Sequence, residues 1–385
     1  METKKTINIA VVGTGFMGKT HSYSVKNLPF FYGELPFEAV LHTICSRDQK
    51  KGEKIKNEWG FLYSETDEKK ILENPEIDVV DICTPNISHF ELLIKALGAG
   101  KHIYCEKPLV ISGAQAKEVI KKLEETNKDK KLLCGMVFHN RFSPAVLRAK
   151  QLIEEGRLGS IISFRVAYRH NSNLDQNKKA GWKQTAESGG GVLFDLGSHA
   201  IDMARFLCGE IESLSGKSQI YFPVRKGIDG ENWHTDADEA FYITAKLPNG
   251  AIGTIEATKL ACGTNSDLSV EIYGEVGALR YSLMQPNFLE FYDESRPGGD
   301  YGGERGFTSI ECVQRYPKPG DSFPGPKSPV GWLRLHMHSV YMYLNGIYER
   351  ELSKFSPDFY DGAAVQKIME KAFLSDQSGR WEEIN

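Results

Sequence analysis

Residues 7–18 read INIAVVGTGFMG, an unbroken apolar run followed at once by the pattern G-x-G-x-x-G. The apolar run is typical of a β-strand covered on both faces, and the segment after it favours a helix. In that setting Gly13 and Gly15 allow a tight turn and the close approach of a pyrophosphate, and Gly18 allows close helix–strand packing. The stretch therefore predicts a dinucleotide-binding turn, with a purely structural turn as the alternative.

The second predicted strand, Ala39–Cys45, ends in Ser46-Arg47-Asp48. In a dinucleotide-binding fold an acidic residue at this point holds the ribose 2′-hydroxyl of NAD, so Asp48 keeps NAD possible. A hydroxyl followed by a guanidinium suits a 2′-phosphate instead, and on this ground the pattern favours NADP slightly over NAD. The alternative is that Ser46 caps the next helix and Arg47 is solvated.

A further strand, Ile77–Cys83, ends in Thr84-Pro85-Asn86, and His89 lies just inside the helix that follows. In a doubly wound sheet this strand ends beside the glycine turn, where ligands bind. The alternative is that Asn86 or a neighbouring serine caps the helix.

The apolar run His102–Cys105 opens into Glu106-Lys107-Pro108. A lysine at the carboxyl end of such a strand lies in the ligand crevice, and Pro108 excludes helical geometry at Lys107. A solvated surface lysine is the alternative, and Glu106 is expected to be a structural hydrogen-bonding partner. The residues predicted to bind the cofactor are Gly13, Gly15, Phe16, Met17, Gly18, Ser46, Arg47, Thr84, Pro85, Asn86, His89, Glu106 and Lys107.

Residues 188–203 read SGGGVLFDLGSHAIDM, in which apolar side chains recur at helical spacing. Asp195 and His199 are four residues apart and share one face of the predicted helix. Histidine is suited to proton transfer near neutral pH, and an aspartate one turn away can orient it. The alternatives are a structural pair or a metal site. We expect no metal, since two good ligands alone are local.

Two more side chains are candidates for substrate binding. Arg141, with His139 nearby, stands at the opening of a helix, where it could line a cleft or serve local packing and capping. Trp182 could stack on the face of a sugar, with burial in a core as the alternative. The predicted substrate-binding residues are Lys107, Arg141, Trp182, Asp195 and His199.

Two strand pairs, flanking residues 248–250 and 274–277, predict four consecutive antiparallel strands in a broad open sheet. A face left uncovered would need a partner, so we expect a homodimer or homotetramer through this sheet. Residues 296–330 are rich in Gly and Pro and predict a long irregular loop that covers the cleft or an oligomer contact, with disorder as the alternative.

Composition narrows the class of protein. The 385 residues suggest two domains, and the net charge of −4 without a long basic run argues against nucleic acid and anionic membranes as partners. The amino-terminal apolar run is too short for a membrane span. Seven cysteines without a C-x-x-C pair favour a reducing, cytoplasmic setting.

Taken together, these motifs resemble the glucose-fructose oxidoreductase, inositol dehydrogenase and rhizopine-catabolism (Gfo/Idh/MocA) family essentially from end to end. The resemblance rests on the glycine turn with His21, on Thr84-Pro85-Asn86 with His89, on Glu106-Lys107-Pro108, and on Asp195-x-Gly197-x-His199. It implies an α/β fold, with an N-terminal Rossmann domain (residues 1–135) and a C-terminal α/β domain (136–385) whose large, mostly antiparallel open sheet mediates oligomerisation.

The resemblance also implies NAD(P)-dependent hydride transfer at a secondary hydroxyl of a sugar, anhydrosugar or cyclitol, with Lys107, Asp195 and His199 as catalytic residues. The sequence departs from the family pattern at Ser46-Arg47, around Phe30–Phe37 and in the 296–330 segment, which leaves cofactor and substrate open. An NAD-dependent glycosidase and a non-catalytic sugar sensor are the alternative functions on this fold.

Overall fold

The computed structural model describes residues 4–128, 131–175, 179–227 and 230–384. Its strands are β1 (Lys5–Val12), β2 (Phe37–Cys45), β3 (Tyr63–Glu65), β4 (Val79–Ile82), β5 (His102–Cys105), β6 (Cys134–Met136), β7 (Ile161–His170), β8 (Ser213–Gln219), β9 (Val224–Lys226), β10 (Asn232–His234), β11 (Ala240–Lys246), β12 (Ile252–Thr258), β13 (Ser266–Gly274), β14 (Gly277–Ser282), β15 (Phe288–Asp293), β16 (Thr308–Glu311) and β17 (Glu382–Glu383). Its α-helices are α1 (Phe16–Tyr32), α2 (Gln49–Trp59), α3 (Glu68–Glu73), α4 (His89–Gly98), α5 (Gly113–Asn127), α6 (Pro144–Glu154), α7 (Ser198–Cys208), α8 (Trp332–Glu349) and α9 (Phe359–Ser378). Among the described residues, no helix is both long enough and apolar enough to cross a membrane.

The chain forms two compact units. The first runs to Phe142 and takes in Gln314–Ala364, and the second comprises Ser143–Val313 with the residues from Val365 onward. The predicted division at residue 135 differs from this grouping for residues 136–142 and, most of all, for residues 314–364, all of which were predicted to lie in the C-terminal domain.

Helix α8 explains that difference, because it packs within the first unit. The ring of Tyr341 on α8 stacks on that of Tyr32 on α1, with 4.0 Å between centroids. The Ser339 and Tyr104 hydroxyls are hydrogen-bonded at 2.7 Å, and several α8 side chains belong to the hydrophobic core of the unit. A helix distant in sequence therefore completes the layer over the nucleotide-binding sheet.

The first unit is built on a parallel sheet with the strand order β3-β2-β1-β4-β5-β6. Its central strands are buried over all of β4 and over β1 from Ile9 onward, as expected where helices cover both faces. The register pairs Val12 with Ile82, and Ile82 with Cys105. Three strands thus end side by side, and the residues that follow them meet at one edge. The predicted doubly wound α/β fold is confirmed.

The second unit contains a nine-stranded sheet with the order β16-β15-β14-β13-β7-β12-β11-β8-β17. The hairpin predicted around residues 248–250 is confirmed, with Ala240 opposite Thr258. The prediction of four consecutive antiparallel strands is wrong in one respect, because β7 lies between β12 and β13 and runs parallel to β12. The sheet is otherwise antiparallel, in agreement with the predicted class.

The segment predicted as a long irregular loop, residues 296–330, is irregular in part. Within it, Thr308–Glu311 forms β16, which pairs with β15 in antiparallel fashion and extends the large sheet. The prediction failed here because four residues with few apolar side chains give too weak an alternation to be recognised as a strand.

Candidate active site

The glycine turn is shaped by two close contacts. Gly13 has φ +117°, and a Cβ there would lie 2.4 Å from the carbonyl oxygen of Cys83. A Cβ at Gly18 would lie 2.1 Å from the carbonyl oxygen of Gly13. At Gly15, by contrast, a Cβ would meet no atom of the described residues within 4 Å. The turn is packed at Gly13 and Gly18 and leaves room at Gly15, which fits a pyrophosphate against the start of α1.

The two residues between Gly15 and Gly18 differ in environment. Phe16 is 72% exposed, and its ring stacks on that of Trp332 with 5.5 Å between centroids. Met17 is partly buried and packs against the core of the unit. Trp332 comes from the amino-terminal end of α8, and no local motif in the sequence linked it to the glycine turn.

The three residues that follow β2, Ser46, Arg47 and Asp48, differ in burial and contacts. The Asp48 carboxylate accepts a hydrogen bond from the backbone N–H of Lys51 at 3.0 Å and caps α2. Ser46 is buried, and Arg47 is exposed beside it. The acid that could hold a ribose hydroxyl is therefore engaged as a helix cap.

His89 connects two loops of the crevice. Its Nδ1 lies 2.9 Å from the carbonyl oxygen of Pro108, and its Nε2 lies 3.0 Å from that of Thr84. The side chain is fully buried, and burial lowers its pKa. Cofactor binding by His89 stays a prediction, and its contacts show that it holds the loops after β4 and β5 together. Within the described residues the buried Thr84 hydroxyl oxygen has no hydrogen-bond partner, as expected of a group that bonds a ligand. Asn86 is buried at the start of the same turn.

Lys107 follows β5 and precedes Pro108 through a cis peptide bond. Its backbone N–H donates to the carboxylate of Glu106 at 3.2 Å. Glu106 is buried, and its other oxygen lies 3.2 Å from Nε2 of His21. The structural role predicted for Glu106 is therefore consistent with its contacts.

His21, which belongs to the glycine-turn motif, is the centre of a buried charged cluster. Its Nδ1 lies 2.9 Å from the carboxylate of Asp81 on β4. Burial opposes a positive charge on the ring, but Asp81 and Cys83 together hold the pKa of His21 well above its usual range. Among the described residues His21, Asp81 and Cys83 are close enough to share a metal ion. Asp81 was missed, although an acid inside the apolar run of residues 77–83 is a recognisable signal.

His139 also belongs to the first unit. Its ring stacks on that of His336 at 3.6 Å between centroids. Burial, with the nearby charges of Lys107 and His21, lowers the pKa of His139 to about 3, so this ring is neutral at physiological pH. Arg141 is buried and forms an ion pair with Asp361 at 3.1 Å. Substrate binding by Arg141 stays a prediction, and its ion pair agrees with the packing alternative.

In the second unit, Asp195 lies in a π-helical turn, Leu193–Gly197, and His199 lies in the first turn of α7. The predicted helix is confirmed, although its first turn is wider than an α-helix. Asp238 holds that turn, because its backbone carbonyl accepts from the N–H of Val192 and its carboxylate from that of Leu193. A Cβ at Gly191 would lie 2.1 Å from this carboxylate. The absence of a side chain at Gly191 therefore makes room for the side chain of Asp238.

Two lysines reach the carboxylate of Asp195. Lys259 Nζ lies 2.6 Å and Lys183 Nζ 3.0 Å from the same oxygen, Oδ2. His199 is buried beside Tyr168, with 5.9 Å between ring centroids. Trp182 is 39% exposed and not in a core. Neither lysine was predicted, and the one available signal was the position of Lys259 immediately after the predicted strand Ala251–Thr258.

Comparison with known proteins matches both ends of the site-bearing chain to one family of oxidoreductases. The family profile described as "Oxidoreductase family, NAD-binding Rossmann fold" matches residues 7–132, and that of the "GFO/IDH/MocA C-terminal domain" matches residues 146–280. Levoglucosan dehydrogenase of Pseudarthrobacter phenanthrenivorans is 31% identical over 99% of this chain and 98% of its own length. The scyllo-inositol 2-dehydrogenase (NAD(+)) of Bacillus subtilis is 31% identical over 71% of this chain and 73% of its own.

Solved structures agree across the whole chain. Levoglucosan dehydrogenase in complex with NADH and levoglucosan has a TM-score of 0.91 at 31% identity, covering 99% of this chain and all of that one. An NAD-binding oxidoreductase from Klebsiella pneumoniae has a TM-score of 0.91 at 28% identity, covering 99% of both chains. The fold, the glycine turn and these matches define the class as an oxidoreductase with an NAD-binding Rossmann domain. The chain belongs to the Gfo/Idh/MocA family.

Mutation can distinguish the packing role of Gly18 from the cofactor-binding role predicted for Gly15. We expect Gly18→Ala to lower the free energy of unfolding by roughly 1–3 kcal/mol, because the new methyl group meets the backbone of Gly13. Gly15→Ala, the matched control, should change stability by less than about 0.5 kcal/mol yet weaken NAD binding about tenfold or more. Denaturant unfolding and fluorescence titration with NADH test both. Equal stability loss in the two variants would contradict the assignment.

The buried Asp238 predicts a pH-dependent stability. Burial raises its pKa from 3.8 to about 6, against the effect of the backbone N–H groups. The folded state therefore favours the protonated carboxyl, and this contribution is lost as the pH rises from about 4 to 6. Relative to Asp238→Asn, the wild type should lose up to about 3 kcal/mol of unfolding free energy across that interval. Denaturant midpoints of both proteins measure the difference, and a constant difference would be contrary evidence.

Proposed function

We propose that this enzyme is an NAD(P)-dependent dehydrogenase that oxidises a secondary hydroxyl of a sugar, anhydrosugar or cyclitol to a ketone. The observation that carries the proposal is the placement of Asp195 and His199 one turn apart on one helical segment, with Asp195 bound to Lys259. Membership of the family supplies the hydride-transfer class, and the open space at Gly15 is suited to a dinucleotide.

The proposed roles follow from the chemistry of each side chain. His199 accepts the proton of the substrate hydroxyl as hydride leaves the same carbon. Lys107 donates a hydrogen bond to that oxygen and stabilises its developing negative charge. Asp195 orients His199 and accepts a hydrogen bond from a neighbouring hydroxyl. When bound, the nicotinamide supplies the hydride acceptor.

Within this class, an anhydrosugar is the first substrate to test. The relative named levoglucosan dehydrogenase aligns along nearly the full length of both chains, whereas the one named scyllo-inositol 2-dehydrogenase aligns over about seven tenths. Trp182, partly exposed next to Lys183, offers a ring on which a pyranose face can stack. The polar side chains proposed to contact the substrate, Lys107, Asp195 and His199, favour a polyol over an apolar alcohol because each can form a hydrogen bond with a hydroxyl group.

We further propose a homo-oligomer that uses the outer face of the large sheet. Tyr242 and Ile252 lie on that face in neighbouring strands and are 46% and 53% exposed. They share this face with polar side chains such as Thr244 and Glu256, and exposed large side chains on a broad open sheet favour contact with a second copy.

The reaction is tested with purified protein, NAD or NADP, and a panel of anhydrosugars, pyranoses and inositols. We expect reduction of the nicotinamide, read as rising absorbance at its reduced band, with levoglucosan or a close analogue among the best substrates. Glycoside cleavage without net reduction, or no reduction with any member of the panel, would count against the proposal.

The catalytic roles predict a specific kinetic pattern. Lys107→Ala and His199→Ala should each reduce kcat by about two to four orders of magnitude, because proton transfer and charge stabilisation are lost. The dissociation constant of the reduced cofactor should change little. His234→Ala, at an exposed strand position, is the control and should retain full turnover. Near-normal kcat in both site variants would refute the roles.

The preference for NADP proposed from Ser46 and Arg47 has its own test. Arg47→Ala should lower kcat/KM for NADP by about tenfold or more and leave that for NAD nearly unchanged, since one guanidinium–phosphate contact is lost. Lys50→Ala removes an exposed charge nearby and should alter neither. Unchanged NADP kinetics in Arg47→Ala would mean that the side chain is solvated.

A further inference from the structure

Lys259 is held rigidly at the end of β12. Its backbone N–H donates to the carbonyl oxygen of Glu239 at 2.9 Å, and its own carbonyl accepts from the N–H of Asn173 at 3.0 Å. The side chain is 8% exposed, and Nζ lies 2.6 Å from Oδ2 of Asp195. The backbone of Lys259 and the ammonium group of its side chain are thus both held in place.

A second buried ion pair fixes the backbone around Lys259. Arg225 and Glu239 are almost wholly buried and 2.7 Å apart. The Glu239 carboxylate also accepts from the side-chain amide of Asn173 and from the backbone N–H groups of Tyr221 and Phe222. The groups that hold Lys259 in place therefore belong to, or are bonded to, a buried charge pair whose carboxylate accepts from several donors.

Electrostatics distinguishes Lys259 from Lys183, although both bind the same oxygen. An ammonium group removed from water is stable only with an opposite charge close by, and Asp195 supplies one. Lys183 is 49% exposed, so water screens its charge and its bond contributes little. The buried lysine is the one expected to control both the ionisation and the orientation of Asp195.

We propose that Lys259 is a positioning residue: it keeps Asp195 ionised and fixes its carboxylate in the orientation that the reaction uses. The inference rests on the proposed function, since it assigns Lys259 an effect on catalysis through Asp195. Within the described part of the chain, Lys183 and Lys259 form ion pairs with this carboxylate, Asp238 lies close enough to Lys259 to feel its charge, and His199 follows one helical turn after Asp195. Among them Lys259 combines a short contact with burial.

The test is a double-mutant cycle on the full chain with the substrate that the wild type turns over. Lys259→Met should lower kcat about 30-fold or more, with the dissociation constant of NADH within about twofold of the wild type. In an Asp195→Asn background the same change should cost less than about threefold, because the group it acts through is already altered. Lys183→Met, the matched control, should lower kcat less than about threefold.

The pH profile and a conservative variant supply readouts that a merely structural role would not move. In Lys259→Met the acidic limb of kcat/KM should shift to higher pH, because the carboxylate loses the charge that favours its ionised form. Lys259→Arg should restore part of kcat and return the limb toward its original position. If Lys259→Met does not fold, Lys259→Arg takes its place, measured alone and in the Asp195→Asn background. The double variant Lys259→Met with Asp195→Asn removes both charges together and so leaves no unpaired buried charge.

Independent, additive losses in the cycle, or an unshifted acidic limb, would overturn the inference. The result of the cycle also distinguishes failure of the inference about Lys259 from failure of the proposed function. If Asp195→Asn retains full turnover, the role of Asp195 fails; if Asp195→Asn is impaired while Lys259→Met is fully active, the role of Lys259 alone fails.

Discussion

The nucleotide-binding unit depends on one buried cation and the two carboxylates that hold it. His21 on α1 contacts Asp81 on β4 and Glu106 after β5. Breaking a buried charged pair by removal of one partner costs about 3–5 kcal/mol, so these contacts fix the helix and the two strand ends to each other. Because Glu106 directly precedes Lys107 and accepts its backbone N–H, the same contacts fix the backbone from which that lysine projects.

The second unit uses a comparable device around its own candidate residues. Arg225 and Glu239 are paired in the interior and hold the strand end that carries Lys259. Lys259 in turn binds Asp195, and Asp238 holds the turn in which Asp195 lies. Both units thus place a buried ion pair behind a side chain proposed for catalysis. Such support keeps functional groups close to one geometry, which catalysis by hydrogen bonding and proton transfer requires.

Sequence patterns predicted those parts of the molecule that depend on local chemistry. The glycine turn, the strand–helix alternation up to residue 127 and the hairpin at residues 248–250 have local signals, and the structure confirms them. The position of α8 and the insertion of β7 beside β12 depend on packing between segments far apart in sequence, which periodicity does not encode. For the same reason the spacing of Asp195 and His199 could be recognised in the sequence, whereas the contacts of Lys259 with Asp195 and of Trp332 with Phe16 could not.

The central claim is that hydride passes directly from a carbinol carbon of a sugar or cyclitol to the nicotinamide. Turnover of a carbohydrate deuterated at its carbon-bound positions, followed by proton NMR of the reduced cofactor, tests it most directly. The account predicts one deuterium at C4 of the nicotinamide, on one face, and slower turnover than with the unlabelled compound. Reduced cofactor without deuterium at C4, or deuterium released to water, would contradict it.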